Sequence, residues 1–132
     1  LSMHVYVDEA DSPDLDHWLA VPLAVERQIR SVAAFADVVA ARHRSRRRIG
    51  VSVDEWNVWH QSRRKHERPL DAPFVRAPAI AEDEYSLADA LLVGGLVLTL
   101  LRNADRVRIA CLAQLINVIA PIRTLDGGPA WR

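Results

Sequence analysis

The sequence predicts an α/β fold of three parallel strands joined by two crossover helices. Three observations carry this. Short apolar runs rich in β-branched residues alternate with long stretches of helical period, in the order strand, helix, strand, helix, strand. The middle run, Arg48 to Asp54, ends abruptly in carboxylates and indoles, as strands do where their carboxyl ends open on a ligand site. Finally, three strands alone would leave two open edges, which points to part of a larger sheet or a closed barrel.

The first strand is read from Leu1-Ser2-Met3-His4-Val5-Tyr6-Val7, and a polar loop is expected from Asp8 to Asp16. In the helix that follows, Val25, Ile29, Val32, Ala33, Ala36 and Val39 recur at three- and four-residue steps and should face a core. Pro22 is compatible with a first turn or a kink. The run Arg42-His43-Arg44-Ser45-Arg46-Arg47-Arg48 reads as a solvated helix end whose cations oppose the macrodipole. After the second strand a long loop is expected from His60 to Asp83, on the rim where ligands bind. Ser86 and Asp89 have capping-box spacing and open a second helix to about Arg102, with Leu87, Ala90, Leu91, Gly94, Leu98 and Leu101 expected on its inner face. Gly94-Gly95 should let that helix approach a sheet closely. The third strand is Arg106 to Leu112, where Cys111 reads as a small buried hydrophobe.

Composition narrows the function classes. The chain has 132 residues, half of them apolar, and a formal net charge of zero, so neither nucleic acid nor an anionic membrane is an expected partner. A lone cysteine precludes an internal disulfide. The longest apolar stretch, Leu87 to Leu101, is interrupted by Asp89 and two glycines and falls short of the ~20 residues a membrane span needs. The histidines are scattered, and no Gly-rich phosphate loop or Gly-x-Ser-x-Gly elbow occurs, so no metal or cofactor is expected. The opening straight into a strand, and the close on Gly127-Gly128-Pro129-Ala130-Trp131-Arg132, give the expectation of an internal piece of a longer chain.

The chemistry concentrates around Asp54-Glu55. Unpaired charges are costly inside a strand, and alternation predicts that only one of the two faces the site. Glu55 reaches further, and Trp56 and Trp59 nearby offer faces on which a sugar ring can pack. His4 and Tyr6 share one face of the first strand, from which Tyr6 could donate to a carboxylate. Gln114 and Asn117 follow the third strand, where amides suit sugar hydroxyls or tie down loop backbone.

These residues fall into a pattern. Val53-Asp54-Glu55-Trp56-Asn57-Val58-Trp59 resembles the nucleophile strand of the α-L-arabinofuranosidases in family 51 of the glycoside hydrolases. Asp83-Glu84-Tyr85-Ser86-Leu87-Ala88-Asp89-Ala90-Leu91 resembles the helix that follows, and Ala104 to Ile122 the last strand and its loop. Ser2-Met3-His4-Val5-Tyr6 resembles the preceding strand, so the likeness spans nearly the whole chain.

The resemblance implies a partial (β/α)8 TIM barrel, strands six to eight, with residues 1–132 a fragment of a single catalytic domain. It implies that Glu55 is the catalytic nucleophile of a retaining arabinofuranosidase. Tyr6 would bond that carboxylate and the sugar, Gln114 would contact arabinose hydroxyls, and Trp59 would line the cleft. His4 would face the site. The implied partner is an arabinofuranosyl oligosaccharide or polysaccharide from hemicellulose or pectin. The implied setting is a cytoplasmic homo-oligomer of full-length chains. The family's acid/base Glu belongs to an earlier strand, and Glu67, Glu82, Asp83 and Glu84 do not match its motif, so the 132-residue chain alone is expected to be inactive and poorly folded. Two alternatives stand beside this: a non-catalytic α/β carbohydrate-binding module, and another barrel glycosidase with a strand-seven Glu nucleophile.

Overall fold

A computed structural model describes residues 1–61, 82–124 and 127–128, together with the backbone of 130–131. Three strands, β1 (Ser2–Val7), β2 (Val51–Val58) and β3 (Val107–Leu112), form a parallel sheet in the order β1-β2-β3. The connections are long helices, α1 (Leu15–Arg42) and α2 (Leu87–Arg102), which pack on each other and cover one face of the sheet. A two-residue antiparallel pair, β4 (Arg123–Thr124) and β5 (Ala130–Trp131), follows. The expected α/β order and the parallel pairing are both present. Most of the expected loop, residues 62–81 with Glu67, lies outside the described residues.

The core is the layer between sheet and helices. Met3, Val5, Val51, Val53, Trp56 and Val107 meet Val25, Ile29, Leu96 and Leu100 there. A side chain of this size contributes about 1.5–3 kcal/mol when fully buried. α1 begins at Leu15, capped by the Asp14 carboxylate accepting from the His17 N–H, so the expected polar loop stops two residues short of Asp16. Within that loop, Glu9–Asp11 form a single 3-10 turn. Pro22 therefore stands in the helix interior, where its buried ring faces α2. The expected stripe holds for Val25, Ile29, Ala33 and Ala36, whereas Val39, in the last turn, is exposed.

α2 differs more. Its capping box is complete, with Ser86 Oγ accepting from the Asp89 N–H and the Asp89 carboxylate accepting from the Ser86 N–H. Its buried residues are Asp89, Leu92, Leu96, Thr99 and Leu100, while Leu87, Leu91, Leu98 and Leu101 are exposed. A helix apolar all the way round carries no periodic signal to choose its inner face. Packing chose the face that lets Gly95 meet Pro22 of α1, so the close approach is helix on helix and not helix on sheet. β3 is an edge strand, and only Val107 is buried in it; Cys111 is consequently exposed, contrary to its expected burial.

At the amino end of the sheet, Arg106 pins the layers together. Its guanidinium grips Asp37 of α1 in two bonds of 2.6 and 3.0 Å and donates to the carbonyls of Ala33 and Ile49. The Arg42–Arg48 run lies exposed, as a solvated helix end should.

Candidate active site

β2 does not end at Asp54. It continues through both carboxylates to Val58, and a bulge makes this possible. Met3 pairs with Val53 but His4 with Glu55, and on the other side Val53 pairs with Ala110 but Trp56 with Leu112. β2 thus carries one residue more than either neighbour between Val53 and Trp56. A bulge cancels one step of alternation. Val51, Val53, Trp56 and Val58 all face the helices, while Asp54 and Glu55 both face the open side of the sheet. Two expectations are corrected by this. The carboxylates share a face, and Trp56 is a core residue rather than a platform for a ligand.

The open face gathers side chains from β1 and β2. Ser2, His4 and Tyr6 alternate with the buried Met3 and Val5. Tyr6 Oη donates to Glu55 Oε2 at 3.1 Å. His4 sits between the carboxylates, with Nδ1 3.5 Å from Glu55 and Nε2 3.8 Å from Asp54. Ser2 Oγ donates to Asp54 at 2.8 Å. That bond, with His4 contributing, holds the Asp54 carboxyl below its ordinary range. Burial and the Glu55 charge push the Tyr6 phenol up, so it stays protonated and able to donate at neutral pH.

Trp59 follows β2 directly, its N–H bound to the Val7 carbonyl at 2.8 Å. Its ring stands edge-on to Tyr6, with centroids 5.4 Å apart at 71°. Beside this pair opens a cleft of about 390 Å³ lined by Tyr6, Asp8, Asp11, Trp59 and Gln61. The structure thus brings Glu55, Tyr6, His4 and Trp59 together at the carboxyl end of the sheet.

Gln114 is placed differently. It lies exposed in the turn after β3, its backbone N–H bound to the Ile119 carbonyl, and no described hydrogen bond joins its side chain to Glu55, Tyr6 or His4. Asn117 ties down loop backbone and bonds Thr124.

Two contributors went unread in the sequence. Asp54 is a full neighbour of the site because of the bulge. Asn57, almost fully buried, donates its amide to the carbonyls of Ala113 and Ile119 and so anchors the loop that carries Gln114. The signal for Asn57 was present: an amide amid apolar strand residues must satisfy its polar atoms within the fold. Among the described residues no group of His, Cys, Asp and Glu is arranged to hold a metal ion, and no helix is long and apolar enough to cross a membrane.

The chain as a whole is similar to known proteins. An intracellular exo-α-(1→5)-L-arabinofuranosidase of Halalkalibacterium halodurans is 51% identical over the whole chain, which covers 26% of that protein. The corresponding Bacillus subtilis enzyme 1 is 48% identical over the whole chain, again 26% of its length. The chain therefore spans about a quarter of the curated relatives it matches. A solved family 51 α-L-arabinofuranosidase from Bifidobacterium longum superposes with a TM-score of 0.80 at 37% identity, over 99% of this chain and 26% of that one. The family described as the alpha-L-arabinofuranosidase C-terminal domain matches residues 54–132, more than half of the sequence and including Asp54 and Glu55 themselves, and the chain belongs to that family.

Proposed function

We propose that this chain is part of a retaining α-L-arabinofuranosidase in which Glu55 is the nucleophile. Its three strands are then strands six to eight of a (β/α)8 barrel, and residues 1–132 are a fragment of one catalytic domain. The observation that carries the reading is the Tyr6–Glu55 hydrogen bond at the carboxyl end of adjacent parallel strands, with the Trp59 ring against Tyr6.

In the reaction, a Glu55 oxygen bonds to the anomeric carbon of an arabinofuranoside as the glycosidic oxygen leaves with a proton from a second carboxyl group. The resulting ester is opened by water, from which that second group now takes a proton. Tyr6 holds the Glu55 oxygen in line. His4 stands between the two carboxylates, with a ring nitrogen 3.5 Å from Glu55 and the other 3.8 Å from Asp54. Asp54 is unsuited to be the acid, because its bond from Ser2 favours the ionised form. The family resemblance puts the acid/base Glu on an earlier strand, so the acid is a residue of the whole protein outside this chain, and the isolated chain is inactive. Trp59 and Gln114 contact the sugar. The substrates are terminal arabinofuranosides, in keeping with the names of the relatives, borne on the hemicellulose or pectin oligosaccharides that the family resemblance implies, and the protein works in the cytoplasm as those named intracellular do. It functions there as a homo-oligomer of full-length chains.

The test is covalent trapping. A mechanism-based arabinofuranosyl inactivator applied to the whole enzyme should leave its sugar on the peptide containing Glu55, read by mass spectrometry. Glu55→Gln should lower kcat by at least ~1000-fold. A label on another carboxylate, or an active Glu55→Gln enzyme, would reject the assignment.

A further inference from the structure

We propose that His60 is a positioning residue for the carboxylate site: set between Asp89 and Asp8, it clamps the end of β2 to α2 and to the turn after β1, and so holds Trp59 against Tyr6. The inference rests on the reading of Glu55 as nucleophile.

His60 is 0% exposed, yet neither ring nitrogen has an aligned hydrogen bond. Nε2 lies 3.3 Å from Asp89 Oδ1, and Nδ1 lies 3.8 Å from Asp8 Oδ1. The Trp18 and Tyr85 rings flank it, each with its centroid 6.1 Å away. An aliphatic side chain would fill such a hole without the desolvation cost of an imidazole. What it could not do is engage a carboxylate on either side.

Those carboxylates belong to different segments. Asp89 is the third residue of α2 and the partner of Ser86 in its capping box, with Oδ2 already accepting from the Ser86 N–H and hydroxyl, which leaves Oδ1 turned to His60. Asp8 lies two residues beyond Tyr6 in the chain. Backbone ties reinforce the clamp. Tyr85 Oη donates to the Val58 carbonyl at 2.9 Å, the Trp59 N–H to Val7, and the His60 N–H to Asp83 at 3.0 Å. Three successive residues at the end of β2 are thus held by the end of β1 and by the segment leading into α2. Trp59 stands in the middle, its ring against the tyrosine that bonds Glu55. Misplacement of a site by about 1 Å can lower a rate on the order of 100-fold.

The experiment uses the whole enzyme. His60→Ala should lower kcat by about 10- to 100-fold with KM changed less than ~3-fold, and His60→Gln, which keeps a donor, should recover most of the loss. Asp89→Asn should fall between them. The deciding measurement is a cycle with Trp59→Ala. If His60 acts through Trp59, His60→Ala costs little more in that background, whereas a purely structural role adds its full effect. Additive losses, or wild-type kcat in both His60→Gln and Asp89→Asn with His60→Ala also unchanged or unfolded, would overturn the clamp. Inactivator labelling in the same samples separates the two ideas. A label on Glu55 with additive losses rejects only the clamp, and a label elsewhere rejects the nucleophile.

Discussion

Tyr6 shows how one hydroxyl can serve two needs. Its ring packs against Trp59, and its O–H, kept protonated by burial and by the neighbouring charge, points at Glu55. A hydrogen bond to a charged group contributes about 1.5–3 kcal/mol, so Tyr6→Phe in the whole enzyme should lower kcat by roughly 10- to 100-fold and also lower the melting temperature. Steady-state kinetics and calorimetry on the same preparation check both parts. Asp37, like Asp14 and Asp54, contributes to the pH dependence of stability. The Arg106 bonds lower its carboxyl pKa below the ordinary 3.8. A folded-state pKa below the unfolded one favours the fold above about pH 4 and loses that contribution as pH falls through the folded value. Asp37→Asn should therefore flatten the loss of stability on the acid side of pH 4 and leave the nearly buried Arg106 without its counter-charge at pH 7, seen as a lower urea midpoint there.

At the scale of elements, the two glycines of α2 are not equivalent. A Cβ on Gly94 would meet nothing within 4 Å, whereas one on Gly95 would stand 2.8 Å from the Pro22 ring. Gly94→Ala should stabilise the protein by about 0.5–1 kcal/mol through helix propensity. Gly95→Ala should gain the same propensity and lose more, by roughly 1–3 kcal/mol of overpacking against a ring that cannot swing aside. Urea denaturation of the pair would settle it; equal shifts of the same sign would mean that α1 and α2 are not in contact there. The bulge in β2 acts at this scale too. One additional residue turns two adjacent carboxylates to one face without moving the flanking valines out of the core.

For the molecule as a whole, the layer between sheet and helices is closed and its outer surfaces are not. Leu87, Leu91, Leu98 and Leu101 on α2, and Ile109 on β3, are all more than half exposed. Exposed apolar surface on this scale favours association. The isolated 14.8 kDa chain should elute on size exclusion above its monomer mass, increasingly so with concentration, and bind a hydrophobic dye. A sharp monomer peak at all concentrations would show that these faces are tolerated in water.

The sequence alone determined the order and kind of the main elements, because short β-branched runs and the 3.6-residue period of α1 each have one way to be buried, and the length of the apolar run after Ser86 marks α2 as a helix. It also marked Glu55, since a charge at the end of an apolar run demands a reason, and it marked the capping box, which is a purely local device. Tertiary structure decided the rest. The uniformly apolar α2 could have turned any side inward, and Gly95 on Pro22 selected one. Asp54 and Glu55 obey alternation on paper, and only pairing with β1 and β3 revealed the residue that breaks it. His60 gave no periodic signal at all, because its partners, Asp8 and Asp89, lie far from it in sequence and meet it only when the sheet and helices close.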